Sequence, residues 1–227
     1  MQCRTRVLFC AVLGLIALAF FTIGCGSSSN AKIRLVNATP DESSLDLLVD
    51  TKNVASGVGY GAASAYASVG SGTRQLQVEP TGTTSVLLET SPSVSSGSNL
   101  TLVSLNFSFN ISSVLLTDDN SAPTSGDFKL RILNASPGMG AQDVYVVTFG
   151  TDISSVDPTF SGLGFGSAAA YSTLAVGDYE VFFTSPGQKS ISLDSGKLTF
   201  SAGQIRTLLA LNNPSGAFMS TLLTDAN

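Results

Sequence analysis

The chain has 227 residues, 43% hydrophobic and 12% charged, with a net charge of −5, 22 Gly, 3 Cys and neither His nor Trp. Without histidine, Ser-His-Asp and Cys-His catalysis, His-ligated zinc or iron and imidazole acid–base chemistry are unavailable, because each needs a group that titrates near neutrality. The length suffices for one large domain or two small ones, each with a packed core.

Residues 1–6 carry Arg4 and Arg6 without an acid, and residues 7–23 are almost unbroken apolar sequence ending in small residues at Gly24 and Cys25. This is the layout of a secretory signal peptide, residues 1–24. An uncleaved anchor is the alternative, since about 17 apolar residues lie at the lower limit for crossing a hydrocarbon layer. The segment Thr22-Ile23-Gly24-Cys25 resembles a bacterial lipobox, which implies cleavage before Cys25 and a diacylglycerol on its thiol. The expected product is a membrane-anchored lipoprotein of the cell envelope, outside the cytoplasm. In a host with two membranes, Gly26 in place of aspartate resembles outer-membrane sorting. Residues 25–31, rich in Gly and Ser, read as a flexible tether. Cys3 and Cys10 leave with the signal, so no thiol pair remains for a disulfide. Nine Lys or Arg then face sixteen acids, a net charge of −7 that disfavours nucleic acid as a partner.

Lys32-Ile-Arg-Leu-Val-Asn37 opens the remainder and returns as Lys129-Leu-Arg-Ile-Leu-Asn134, 97 residues on. Gly59-Tyr60-Gly61 with Tyr66 returns as Gly164-Phe165-Gly166 with Tyr171, and Leu115-Leu-Thr-Asp118 as Leu222-Leu-Thr-Asp225. Such self-similarity predicts two copies of one domain, 32–118 and 127–227, joined by a linker over 119–126. The offset grows from 97 to 107, which places a lengthened loop near 147–160 of the second copy. Within a copy the hydrophobic period is two: Ile33 and Leu35 alternate with Lys32 and Arg34, and Leu45, Leu47 and Val49 with Asp46 and Asp50. Both stretches read as half-buried strands, as do 75–79 and 177–181, whereas 100–105 and 207–211 read as central strands. The Ala-rich stretches 61–69 and 166–174 lack helical periodicity and read as extended. Short strands with Gly, Pro and Ser turns predict an all-β protein, two tandem antiparallel β-sandwiches.

The candidate sites are weak. Gly57-Val-Gly59-Tyr-Gly61 and its counterpart lack the spacing, following helix and lysine of a phosphate loop, so they read as a bulge or close strand approach. Asp194-Ser-Gly196 has no second copy to complete an aspartic-protease pair and reads as a turn. Ser29-Asn-Ala-Lys32 lies beside the tether, where nothing would depress a lysine pKa. Asp46 and Asp143 are expected to form cross-strand pairs with Arg34 and Arg131. Asp41, Glu42, Asp118 and Asp119 are candidate loop contacts. Asp41, Glu42 and Asp50 would offer carboxylates to calcium, but no EF-hand spacing supports that. Tyr66 and Tyr171 read as core. No catalytic, metal or cofactor residue emerges.

The run from Lys32 to Asp41 with Leu45-Asp-Leu-Leu-Val-Asp50, Val54-Ala-Ser-Gly-Val-Gly-Tyr60 and Leu115-Leu-Thr-Asp-Asp119 resembles the bacterial envelope family called domain of unknown function 4397. The resemblance extends to both copies and implies an exported, often lipid-anchored protein with immunoglobulin-like or transthyretin-like sandwiches. Asn37 and Asn134 stand where relatives often carry His, and Gly138 where the first copy keeps Asp41. The leading expectation is a non-enzymatic envelope lipoprotein for protein interaction, adhesion or envelope structure. The alternative is a carbohydrate- or cell-wall-binding lipoprotein. A glycosidase working with carboxylates alone is the third class, and it would need two carboxyls about 5 to 10 Å apart in a cleft.

Overall fold

The computed structural model describes residues 30–213 and 215–226; Cys25, the lipobox and residues 26–29 lie outside them. The first half comprises β1 (Asn30–Ala38), β2 (Ser44–Val49), β3 (Lys52–Gly59), β4 (Ala67–Gly70), β5 (Gly72–Thr73), β6 (Leu76–Pro80), β7 (Leu88–Thr90), β8 (Ser93–Val94), β9 (Asn99–Leu105) and β10 (Ser112–Thr117). The second comprises β11 (Asp127–Asn134), β12 (Gln142–Thr148), β13 (Phe160–Leu163), β14 (Ser172–Ala175), β15 (Gly177–Thr184), β16 (Ile191–Asp194), β17 (Leu198–Phe200), β18 (Ile205–Asn212) and β19 (Phe218–Ala226). Two single-turn 3-10 segments, Ser108–Asn110 and Ile153–Ser155, are the only helix among the described residues. β1 already includes Asn30 and the fully buried Ala31, two residues expected in the tether.

Each half packs two main sheets of matching connectivity, and in the first half β5 and β8 pair as a separate two-stranded ribbon. The outer sheets run β3-β2-β6-β7 and β13-β12-β15-β16, with β17 also on β15; the inner sheets run β10-β9-β1-β4 and β19-β18-β11-β14. The inner sheets are mixed, not antiparallel throughout as expected, because β1 runs parallel to β9 and β11 parallel to β18. Parallel neighbours need a crossover, and the chain makes it through the outer sheet. Ile33, Leu35, Leu45, Leu47, Val78 and Leu102 fill the first sandwich. Leu130, Ile132, Val144, Val181, Phe183 and Leu208 fill the second, with Phe128 stacked on Phe200 at 4.1 Å.

A third core joins the halves. Val36, Ala38, Val103 and Leu105 pack with Leu133, Ala135, Leu209, Leu211 and Leu223. The four sheets therefore form a stack of four layers with the inner pair face to face. Arg34, expected on the face of β1 opposite Ile33 and Leu35, is buried at 2% exposure together with Val36 at 0%, because the second half covers them. The longer loop between β12 and β13 also finds a place: Ile153 packs with Tyr145 and Phe182 and covers the outer face of its sheet.

Candidate functional site

The facing inner sheets hold a polar cluster with approximate two-fold symmetry. Arg34 Nε donates to Thr101 Oγ1 at 2.8 Å, Nη1 to the Thr224 carbonyl at 2.9 Å, and Nη2 to the Asp225 carboxylate. Asp225 also accepts from the Tyr171 hydroxyl at 2.8 Å and Thr207 Oγ1 at 2.6 Å. In the mirrored set Arg131 donates to Thr207 and, at 2.6 Å, to Asp118, which accepts from Tyr66 and Thr101 at 2.6 Å each. The guanidinium of Arg34 lies 4.8 Å over the Tyr66 ring, and that of Arg131 lies 4.5 Å over Tyr171. Burial pushes the Tyr66 hydroxyl up to about 12, the bond to Asp118 adding to it and Arg34 opposing it. Tyr171 is raised further, again chiefly by burial. The expected pairs of Arg34 with Asp46 and Arg131 with Asp143 do not form. Asp46 instead accepts from Asn53, Ser56, Gly57 and Thr81, and Asp143 from the backbone N–H groups of Gly162 and Gly187. Burial alone would raise the Asp46 carboxyl, but its four donors together hold it below the usual value.

This cluster also sets direction. Arg34, at the middle of β1, meets Asp225 of β19, which across β18 lies level with Lys129 and Leu130 in the first half of β11. At the other end, a Cβ on Gly166 would stand 3.3 Å from Leu105 Cδ1, one on Gly61 3.3 Å from Leu211 Cδ1, and the Tyr60 hydroxyl donates to the Asn212 carbonyl at 2.6 Å. β1 and β11 therefore point the same way. Asn30 and the 119–126 linker lie at one end of the molecule. The loops 39–43, 106–111 and 136–141, with residues 213 and 215–217, lie at the other, about 27 Å away along nine residues of strand.

The most exposed large apolar side chain among the described residues, Phe109, stands at that far end, 86% exposed. It stacks on Phe107 with centroids 5.9 Å apart and planes 16° from parallel. The turn carrying the pair is held tightly. Asn106 adopts a left-handed φ of 67°, and its Nδ2 donates to the Asn110 carbonyl at 3.1 Å. Asp41 accepts three hydrogen bonds from Ser108, two from its N–H at 2.8 and 3.1 Å and one from its hydroxyl at 2.6 Å. Leaving a phenylalanine in water forgoes about 1.5–3 kcal/mol of burial, and this ring does not stand alone but is stacked on a second ring on a braced turn.

The four candidate loop residues separate. Asp41 and Glu42 lie at the far end, where burial and the neighbouring Asp41 raise the Glu42 carboxyl. Asp118 is no loop contact: its side chain is fully buried against Arg131. Asp119 sits at the tether end, where the Lys129 ammonium at 2.7 Å holds its carboxyl at about 2. Asp50, expected beside Asp41, is at the opposite end of β2 and pairs with Arg74. Among the described residues no three His, Cys, Asp or Glu side chains gather as metal ligands. Asn37 and Asn134 are wholly buried, their amides bracing the β1–β2 and β11–β12 loops. Asp194 accepts from Gly196 N–H within a turn. Phe107 and Phe109 were not among the expected sites. Leu105, Phe107, Phe109 and Ile111 alternate as a strand would, which conceals the turn.

A family model described as a domain of unknown function, DUF4397, matches residues 31–145. The chain belongs to this family. The DUF4397 match runs from β1 into β12 and takes in Arg34, Asp41, Phe109, Asp118 and Arg131, whereas Asp225 lies beyond it. No curated protein matches the chain. Among solved structures, a family 26 carbohydrate-binding module from Eubacterium rectale Amy13K in complex with maltoheptaose is 14% identical with a TM-score of 0.25, over 87% of this chain and 98% of that one. A streptococcal virulence factor described as binding alpha-glucan is 9% identical with a TM-score of 0.26, over 86% and 96% of the two chains. Likeness at this level carries no argument about what the DUF4397 chain binds.

Proposed function

We propose that this protein is a non-enzymatic, lipid-anchored module of the bacterial cell envelope, tethered through Cys25, whose two tandem family domains act as one rigid contact unit for interaction, adhesion or envelope structure. The observation that carries the reading is the shared direction of β1 and β11, which sets the attachment end and the loops of both halves at opposite ends of one body. A chain tethered before Asn30 would hold those loops away from its membrane. The buried acids support the same reading. Asp46, Asp118, Asp143 and Asp225 are each occupied by donors that hold the fold together, which suits a scaffold.

Radiolabelled palmitate incorporation, wild type beside Cys25→Ala, tests the anchor. Label that vanishes with Cys25→Ala, combined with cleavage of both halves when whole cells are shaved with protease, is the expected result. Wild-type protein without label, unchanged by Cys25→Ala, overturns it.

A further inference from the structure

We infer that the Phe107–Phe109 turn, braced by Asp41, is a contact site for a neutral glycan, with the Phe109 ring stacking on the apolar C–H face of a pyranose. The inference rests on the proposed function, since it makes the loop end the working end of the tethered module.

Three observations carry it. The first is the platform itself: a ring 86% exposed, backed by a second ring 5.9 Å away on a turn fixed by three hydrogen bonds to one carboxylate. A flat, preorganised aromatic surface loses little freedom on binding. The second is the surroundings. Asn106 and Asn110 flank the rings, and the Asn110 side-chain amide makes no hydrogen bond among the described residues, so donors and acceptors stand ready for hydroxyls.

The third is charge. The loops 39–43, 81–87, 106–111, 136–141 and 213–217 contain no Lys or Arg, while Asp41 and Glu42 are acidic. Lys189, in the loop after β15, is occupied by the Tyr145 hydroxyl and the Val156 carbonyl. An anionic polysaccharide or an acidic membrane surface would meet repulsion there; a neutral sugar would not.

The second half lacks the device. Gly138 replaces Asp41, and the segment corresponding in sequence to the Phe107–Phe109 turn, Asn213-Pro-Ser-Gly-Ala217, contains no aromatic residue. Phe218, at the start of β19, instead packs against the second core. Bracing carboxylate and stacked rings occur together in one half and are missing together from the other, as expected if Asp41 serves the rings.

The test uses the mature chain, residues 25–227 with Cys25→Ala, on an array of neutral and anionic oligosaccharides, with thermal melting to check the fold. The expected result is saturable retention on neutral glycans, reduced at least tenfold by Phe109→Ala and several-fold by Asp41→Asn, at an unchanged melting temperature for Phe109→Ala. Three results would each overturn the inference: no retention on any neutral glycan, retention only on anionic ones, or retention indifferent to Phe109→Ala. Because this chain carries no lipid, failure here leaves the palmitate result standing, and failure of palmitate labelling leaves glycan retention to be read independently.

Discussion

Burial, with a hydrogen bond donated to an aspartate, holds Tyr66 and Tyr171 in their protonated form against the opposing charge of the arginine over each ring. With Tyr60, also raised to about 12 by burial, they resist ionisation in the native state. An unfolded tyrosine ionises near 10. Protons retained by the native chain and lost by the unfolded one make stability fall as pH rises from about 10 through 12, and leave it intact below 10. A spectrophotometric titration should therefore show Tyr60, Tyr66 and Tyr171 releasing their protons late and together with unfolding. Phenolate from those three at ordinary pH in a folded chain would refute the burial account. Tyr66 and Tyr171 read from the sequence as core residues, but each is half-buried, its ring under an arginine and its hydroxyl in the polar cluster rather than in an apolar core. Arg34 and Asp46 both alternate out of the first sandwich core, yet β1 and β2 belong to different sheets, so their outward faces point to opposite sides of the molecule.

At the scale of elements, the glycine-aromatic-glycine segments announced a close approach without saying to what. Gly61 has φ +74°, and a Cβ there would meet Leu211 and Thr221 of the other half at 3.3 Å; Gly57 has φ +69° with nothing within 4 Å. Both substitutions to alanine carry the left-handed penalty of about 1–2 kcal/mol, but only Gly61→Ala adds crowding of about 1–3 kcal/mol. Urea unfolding of the two variants should rank Gly61→Ala as the more destabilised. Equal losses would mean that the interface yields freely. The β9–β10 turn shows the limit of periodicity. Alternation from Leu105 to Ile111 is continuous in sequence, and the left-handed Asn106, held by contacts with Asn110, interrupts it.

At the scale of the whole molecule, an apolar core and two reciprocal buried ion pairs bind the halves. They should therefore unfold together, as one calorimetric transition. Asp225→Asn removes the charge facing Arg34 and leaves a buried guanidinium uncompensated, a loss of about 3–5 kcal/mol. Its expected signature is a lower and broader transition that begins to resolve into two. Two separate transitions already in the wild type would contradict a single body. Strand positions, the extended Ala-rich stretches and the lengthened β12–β13 loop were determined by the sequence alone, because alternation and turn chemistry act over a few residues. Only the tertiary structure decided that the second face of β1 is buried, that Arg34 meets a carboxylate 191 positions away, and which loops share an end. A strand with one polar face satisfies the same alternating pattern whether that face meets water or another sheet. The choice belongs to the surface packed against it.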